Sequence, residues 1–241
     1  SAYSSYSGCR QYREDLFAAS VGSSVQLDRL RHYFNHPGFI EPFVEATATA
    51  LSGLPDDTRV VFVTHSIPAT MNAASGGPDA FAYEWQHQGV AQEVSLRVGR
   101  QLGRNVDWSL AYCSRSGPPS MPWLAPDIND HLASLRAEGV TAVAVSPIGF
   151  ISDHMEVIFD LDTEASATAE ELGMEFVRVA TPHTHPRFVS MIRGLVVERA
   201  AAERGDQPER CAVGNLGASP DRCAADCCVN AGTSRPAIGD A

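Results

Sequence analysis

The run SDHMEVIFDLDTE, residues 152–164, carries five carboxylates among apolar residues. On a helix advancing about 100° per residue, Glu156, Asp160 and Glu164 stand on one line, Asp153 lies within roughly an 80° arc of them, and apolar side chains fill the rest of the circumference. Like charges four residues apart repel. One reading is bland: a solvated face of an amphipathic helix, with Asp153 and Glu156 at the spacing of a capping box. The other is chemical. At the α-helical rise the file is about 12 Å long, and it can pass a divalent cation from one carboxylate to the next, because hard cations prefer oxygen ligands. The apolar flanks and the position just after SPIGF, at a predicted strand end, favour the chemical reading. His154 falls on the apolar arc and is expected to play a supporting role.

Two further groups could do chemistry. VVFVTHSIP ends an apolar run with His65, then turns at Ser66 and Pro68. A lone His at a strand end is often a hydrogen-bonded core residue, but this one would share a sheet edge with Glu156. Facing His and Glu make either a metal-binding pair or a base with a charge partner. The third group is cysteine. Four of six crowd the tail as CAVGNLGASPDRCAADCC, with Cys9 and Cys113 elsewhere. In a reducing compartment such a cluster points to metal or iron–sulfur ligation rather than disulfides. A tail without hydrophobic periodicity also needs a cross-link to be ordered.

An α/β body must position these groups. Residues 59–65, 108–114, 140–150 and 174–182 read as short buried strands separated by stretches of helical period. That is the pattern of a Rossmann-like parallel sheet with helices on both faces. Helices are expected at 87–102, 127–138 and 186–204, with Phe188, Ile192, Leu195 and Val196 of the last on one face. Residues 25–52 read as one or two more, broken at His36-Pro37-Gly38. Ligands of such sheets bind beyond the carboxyl ends of the strands, where His65, Ser114, Pro147 and Pro182 fall. No G-x-G-x-x-G, Walker loop or G-x-S-x-G occurs, so nucleotide and serine-hydrolase chemistry lack their usual motifs.

Composition narrows the partners. With 18 Lys and Arg against 29 Asp and Glu, the net charge of -11 excludes nucleic acid and anionic membranes and favours cations. No run approaches the roughly 18 apolar residues of a membrane span and no leader pattern opens the chain, so a cytoplasmic location is expected. The abrupt start at SAYSSYSGCRQYRED is expected of a chain cut from a longer one.

THSIP, YCSRSGPPSMPWLAP and above all PIGFISDHMEVIFDLDTEA resemble three signatures of the ferrochelatases, in that family's order, within a match from Tyr3 to about residue 200. The resemblance implies two Rossmann-like lobes facing across a cleft that holds a porphyrin, into which ferrous iron is inserted. It implies His65 and Glu156 as the inner pair facing the porphyrin centre and Asp160 and Glu164 as outer steps of the metal path. A passing cation would offset the repulsion along the file. Two pyrrole protons must leave as iron enters, and His65 or Glu156 is a suitable acceptor; which takes protons and which guides metal is open. Tyr3 is implied on the porphyrin side, and Arg115 as a contact for the porphyrin carboxylates. Cys113 departs from the Gln of many members, and the first lobe, which normally precedes Tyr3, is absent. Residues 1–178 would then be the chelatase lobe, 179–204 a closing segment and helix, and 205–241 the Cys-rich tail.

One ferrochelatase branch carries a [2Fe-2S] cluster on one internal and three C-terminal cysteines. The resemblance implies Cys9 as the internal ligand. Adjacent cysteines seldom both reach one cluster without strain, so Cys211, Cys223 and Cys228 complete the set, with Cys227 as the substitute. The tail and the lack of a membrane segment favour water-soluble coproporphyrin III over protoporphyrin IX as substrate. The competing functions are a chelatase for cobalt, nickel or another tetrapyrrole, and a non-catalytic haem- or metal-binding module.

Overall fold

Val60, Phe62, Val61 and Val63 are all fully buried, the first two in one core and the second two in another. A strand that is apolar on both faces needs a covering layer on each side. In a computed structural model of the chain, which describes residues 2–230 and 235–239, Arg59–His65 (β1) is such a strand. It pairs in parallel with Trp108–Cys113 (β2) on one side and Ala142–Ser146 (β3) on the other. Glu175–Arg178 (β4) adds to β3, giving a parallel sheet of order β2-β1-β3-β4. The register sets His65 beside Cys113.

Among the described residues the α-helices are Gln11–Ser20 (α1), Pro37–Leu51 (α2), Ala69–Ala73 (α3), Ala82–Leu102 (α4), Ile128–Ala137 (α5), Met155–Val157 (α6), Ser166–Glu171 (α7) and Pro186–Glu203 (α8). Phe39, Ile40 and Phe43 of α2, Val90 and Val94 of α4, and Phe188 and Leu195 of α8 share one core with Val60 and Phe62. Ile128, Leu132 and Leu135 of α5 share the other with Val157, Leu161 and Ala169. The three layers are those expected from the sequence.

Local chemistry sets the helix ends. His36 accepts the Gly38 N–H at 2.9 Å and Pro37 takes the first turn, where its missing N–H costs nothing. The predicted break at His36-Pro37-Gly38 is therefore the start of α2. No helix covers the stretch before it, and Ser23–Tyr33 runs without regular structure. Gly103, at φ 67°, closes α4 in the left-handed region. On α8 the buried set is Phe188, Met191 and Leu195, while Val196 is half exposed, so the expected apolar face is rotated.

The acidic run departs most from expectation. Only Met155–Val157 is α-helical; Ile158–Ala165 is a π-helix that runs into α7. Its wider turn bonds residues five apart, which keeps residues four and five apart near one line. Asp153 lies before the helix and caps nothing. The N-cap is His154, with no side-chain cap bond, so the capping box does not form.

Candidate functional site

The carboxyl end of β1 is built on a buried polar network. His87 Nδ1 donates to the Tyr83 carbonyl at 2.7 Å, which leaves Nε2 to accept from the Thr64 hydroxyl at 2.8 Å. Burial lowers the His87 pKa to about 3, so the ring is neutral and this tautomer is held. Tyr83 donates its hydroxyl to the His65 carbonyl at 2.8 Å and sits 2.9 Å from Thr64 Oγ1. Gly149 lies against the same residue: a Cβ there would clash with Thr64 Oγ1. The backbone that presents His65 is thus fixed by α4 on one side and by the loop after β3 on the other.

His65 Nδ1 is bonded to the Ser66 carbonyl, which can only accept, so Nδ1 carries a proton. Nε2 then faces Glu156 Oε1 at 2.9 Å. An imidazole with its proton on Nδ1 offers a lone pair at Nε2, and two lone pairs do not make a hydrogen bond. The contact is therefore an ion pair only when Nε2 is protonated as well. Both side chains remain over one third exposed, at 37% and 40%. The pair is open to a reactant.

The five carboxylates of the acidic run divide along the sheet edge. Glu156 stands over the end of β1. Asp160 accepts from Ser114, the residue that follows β2 and adopts φ 61°. Because β1 and β2 are neighbours, consecutive steps of the file meet consecutive strands. Glu164 is exposed. Asp153 and Asp162 turn away toward β4, where Arg178 binds Asp153 through both terminal nitrogens, at 2.9 and 2.8 Å, and Asp162 through Nε at 2.6 Å. Thr181 and His183 complete the Asp153 shell. Burial alone would raise the Asp153 carboxyl, but these donors outweigh it and hold it at about 2. Arg178 neutralises two carboxylates of the run and leaves Glu156, Asp160 and Glu164 without a cationic arginine or lysine partner among the described residues.

A cavity of about 770 Å³ opens beside the pair, lined by His65, Tyr12, Leu16, Phe150, Ile151 and His154 among others. His154 is exposed there, 5.3 Å from the Phe150 ring in an edge contact, and not on a buried apolar face. Tyr3 borders the cavity from below: its ring stacks on His87 at 3.6 Å and its hydroxyl is spent on the Ile148 carbonyl at 2.9 Å. Arg115 is not brought to this cavity; it is exposed and donates to the Pro119 and Met121 carbonyls of its own loop, both at 3.3 Å. Tyr12, Phe150 and Ile151 went unnoticed in the sequence. Phe150 and Ile151 nevertheless lie within PIGFISDHMEVIFDLDTEA, and Tyr12 within a segment without clear period.

The six thiols are free. Cys223, Cys227 and Cys228 form a buried group, with the last two sulfurs 3.6 Å apart, and Cys9 is buried next to them. Cys211 is exposed and stands outside this group, and the adjacent Cys227 and Cys228 both enter it. Donors point at the sulfurs. Arg29 Nη2 donates to Cys223 Sγ at 2.9 Å, and the Gly76 N–H to Cys228 Sγ at 3.2 Å. His32 Nε2 is 3.1 Å from Cys9 Sγ. Ser4 N–H donates to Gln86 Oε1, the Gln86 amide donates to Ser4 Oγ, and Ser4 Oγ lies 3.0 Å from His32 Nδ1. With the ring proton on Nε2, His32 donates to the sulfur. Hydrogen bonding with Cys227, together with burial, raises the Cys223 thiol, whereas bonding to Cys227 and the Gly76 N–H lower Cys228. Among the described residues no three His, Cys, Asp or Glu side chains make a ready site for a single ion. Four buried, unoxidised thiols with donors aimed at sulfur nevertheless fit a [2Fe-2S] centre, which takes four thiolates around two irons.

A family model for ferrochelatase matches residues 1–200. The chain belongs to the ferrochelatase family. The coproporphyrin III ferrochelatase of Streptomyces griseus is 50% identical over 95% of this chain and 64% of that protein. Its counterpart in Streptomyces coelicolor is 50% identical over 100% of this chain and 68% of that protein. The chain thus spans about two thirds of the length of these relatives. Among solved structures, SirB from Bacillus subtilis, determined with Fe3+, covers 85% of this chain and 70% of that one with a TM-score of 0.52 at 14% identity, a likeness of fold. Among the described residues no helix is long and apolar enough to cross a membrane.

Proposed function

We propose that this chain carries the metal-inserting part of a coproporphyrin III ferrochelatase, which places ferrous iron in the porphyrin during haem biosynthesis in the cytoplasm. The observation that carries the reading is the His65–Glu156 pair, closed at 2.9 Å and half exposed beside a cavity of about 770 Å³. Membership of the ferrochelatase family and the names of the relatives support it. In this reading 1–178 is the chelatase lobe, 179–204 the closing segment and 205–241 the tail.

The reaction exchanges two pyrrole protons for one ferrous ion. Apolar side chains such as Leu16, Phe150 and Ile151 suit the face of a macrocycle. Glu164 and Asp160 offer carboxylate oxygen to the incoming substrate iron, and Glu156 is the innermost step. His65 and Glu156, with Nε2 and Oε1 2.9 Å apart, receive the pyrrole protons as a pair. Ser66 holds the far side of the ring through its carbonyl, which keeps Nε2 aimed at Glu156.

Cys9, Cys223, Cys227 and Cys228 would hold a [2Fe-2S] cluster, in which Cys227 takes the place first given to Cys211. When bound, that group supplies one-electron chemistry and a cross-link between body and tail. The polypeptide's part is to bury the four thiols and to direct N–H donors at them.

The test is Glu156→Gln in the full-length protein. Iron insertion into coproporphyrin III should fall at least about 100-fold, the scale of lost general acid–base catalysis, while porphyrin affinity, read by fluorescence quenching, stays within about threefold. His65→Ala should act likewise without unfolding the chain. Normal turnover in either variant defeats the assignment, and a wild-type protein that binds porphyrin and iron without turnover is a carrier.

A further inference from the structure

Two of the four grouped sulfurs accept from an N–H of the body, the Arg29 guanidinium and the Gly76 amide, and a third faces the His32 ring. Gly76 brings a backbone dipole. Arg29 brings a full, permanent charge. Its Nη2 is shared between Cys223 Sγ at 2.9 Å and the Pro220 carbonyl at 3.3 Å. Its Nε is buried and makes no hydrogen bond among the described residues, so a donor remains unused beside the sulfurs. Arg29 also lines two cavities, one of about 510 Å³ on the sulfur side, shared with Arg222 and Trp85, and the one that contains His65.

We infer that Arg29 is a positioning residue of the iron–sulfur centre, whose guanidinium on Cys223 favours the reduced form and thereby sets the centre's reduction potential. The inference rests on the cluster reading above. A four-thiolate centre is anionic, and reduction by an external one-electron donor adds a further negative charge. Hydrogen bonds to sulfur and nearby charge are among the levers that fix such potentials, and a charge-assisted bond is roughly twice as strong as a neutral one. Arg29 transfers no proton in the step. It stays a cation in both redox states.

The experiment is a redox titration of anaerobically purified full-length protein with dithionite and mediators, read by the EPR signal of the reduced centre. Arg29→Leu should shift the equilibrium about tenfold toward the oxidised form, a potential more negative by about 59 mV for one electron. Arg222→Leu removes a charge from the same cavity but no hydrogen bond to sulfur, and should shift the potential by less than half as much. If Arg29→Leu fails to retain the centre, Arg29→Gln keeps an N–H donor without the charge and should give an intermediate potential. Wild-type protein without iron or visible absorption overturns the cluster reading, and this inference with it. A coloured wild type whose potential is unmoved by the Arg29 substitutions, or moved equally by Arg222→Leu, overturns the inference alone.

Discussion

At the scale of single residues, Asp160 and Glu156 do different work although they sit four apart on one segment. Glu156 faces an imidazole nitrogen at 2.9 Å; Asp160 meets a hydroxyl, which orients it without neutralising it. Asp160→Asn is therefore expected to raise KM for ferrous iron about threefold to tenfold and leave kcat within about twofold, because one carboxylate step of the path loses its charge. Ser114→Ala should shift KM the same way by less, since it removes only the orienting bond. Steady-state rates at varied iron distinguish the cases. A fall in kcat at constant KM would move Asp160 from the metal path to the proton-handling pair.

At the scale of elements, Arg178 is what lets an acidic segment lie across the sheet. It pins the loop before α6 through Asp153 and the π-helix through Asp162. The Asp153 carboxyl, ordinarily near 3.8, is held at about 2 in the folded chain. Its contribution to stability is therefore complete above about pH 4 and is lost as the pH falls from there toward 2. Asp153→Asn should cost on the order of 1 kcal/mol at neutral pH, the scale of a partly exposed charged pair with its hydrogen bonds. Denaturant melts from pH 7 to 2 check this: the difference between variant and wild type should shrink toward the acid end. A difference independent of pH would mean that the clamp works by packing and not by charge.

At the scale of the whole molecule, the tail is attached at more points than its cysteines. Arg10, buried and paired with Glu14, donates to the carbonyls of Ala225, Cys227 and Arg235, and Arg13 to that of Ile238. Farther up, Arg31 reaches the Cys211 carbonyl at 3.0 Å, and Asn35 bonds both Gly217 and Val213. These staples meet the backbone, so they persist without a cluster. Cys223→Ser should bleach the protein and raise amide hydrogen exchange in 220–230, while 211–217 keeps most of its protection. Uniform loss of protection across 205–230 would show that the cross-link alone orders the tail.

The layers, the strand positions, the start of α2 and the stretch holding the acidic file were legible because they depend on periodicity and caps, which are properties of neighbouring residues. Val60 to Val63, apolar at every position, could only be a strand buried on both faces. Five carboxylates in one run marked the chemistry, and three motifs carried the family. Tertiary structure alone decided which of those carboxylates remain uncompensated, because Arg178 comes from a strand at the other end of the sheet. It also turned the file into a π-helix, spent the Tyr3 hydroxyl in the core and turned Arg115 onto its own loop. The same holds for the thiols: spacing along a tail without period says nothing of which sulfurs face inward, and docking onto Arg10, Arg13 and Arg29 buries Cys227 while leaving Cys211 outside. A residue's own face is written in its near neighbours. The distant side chain that meets it is set by strand order and loop closure, and only folding brings that partner within hydrogen-bond reach.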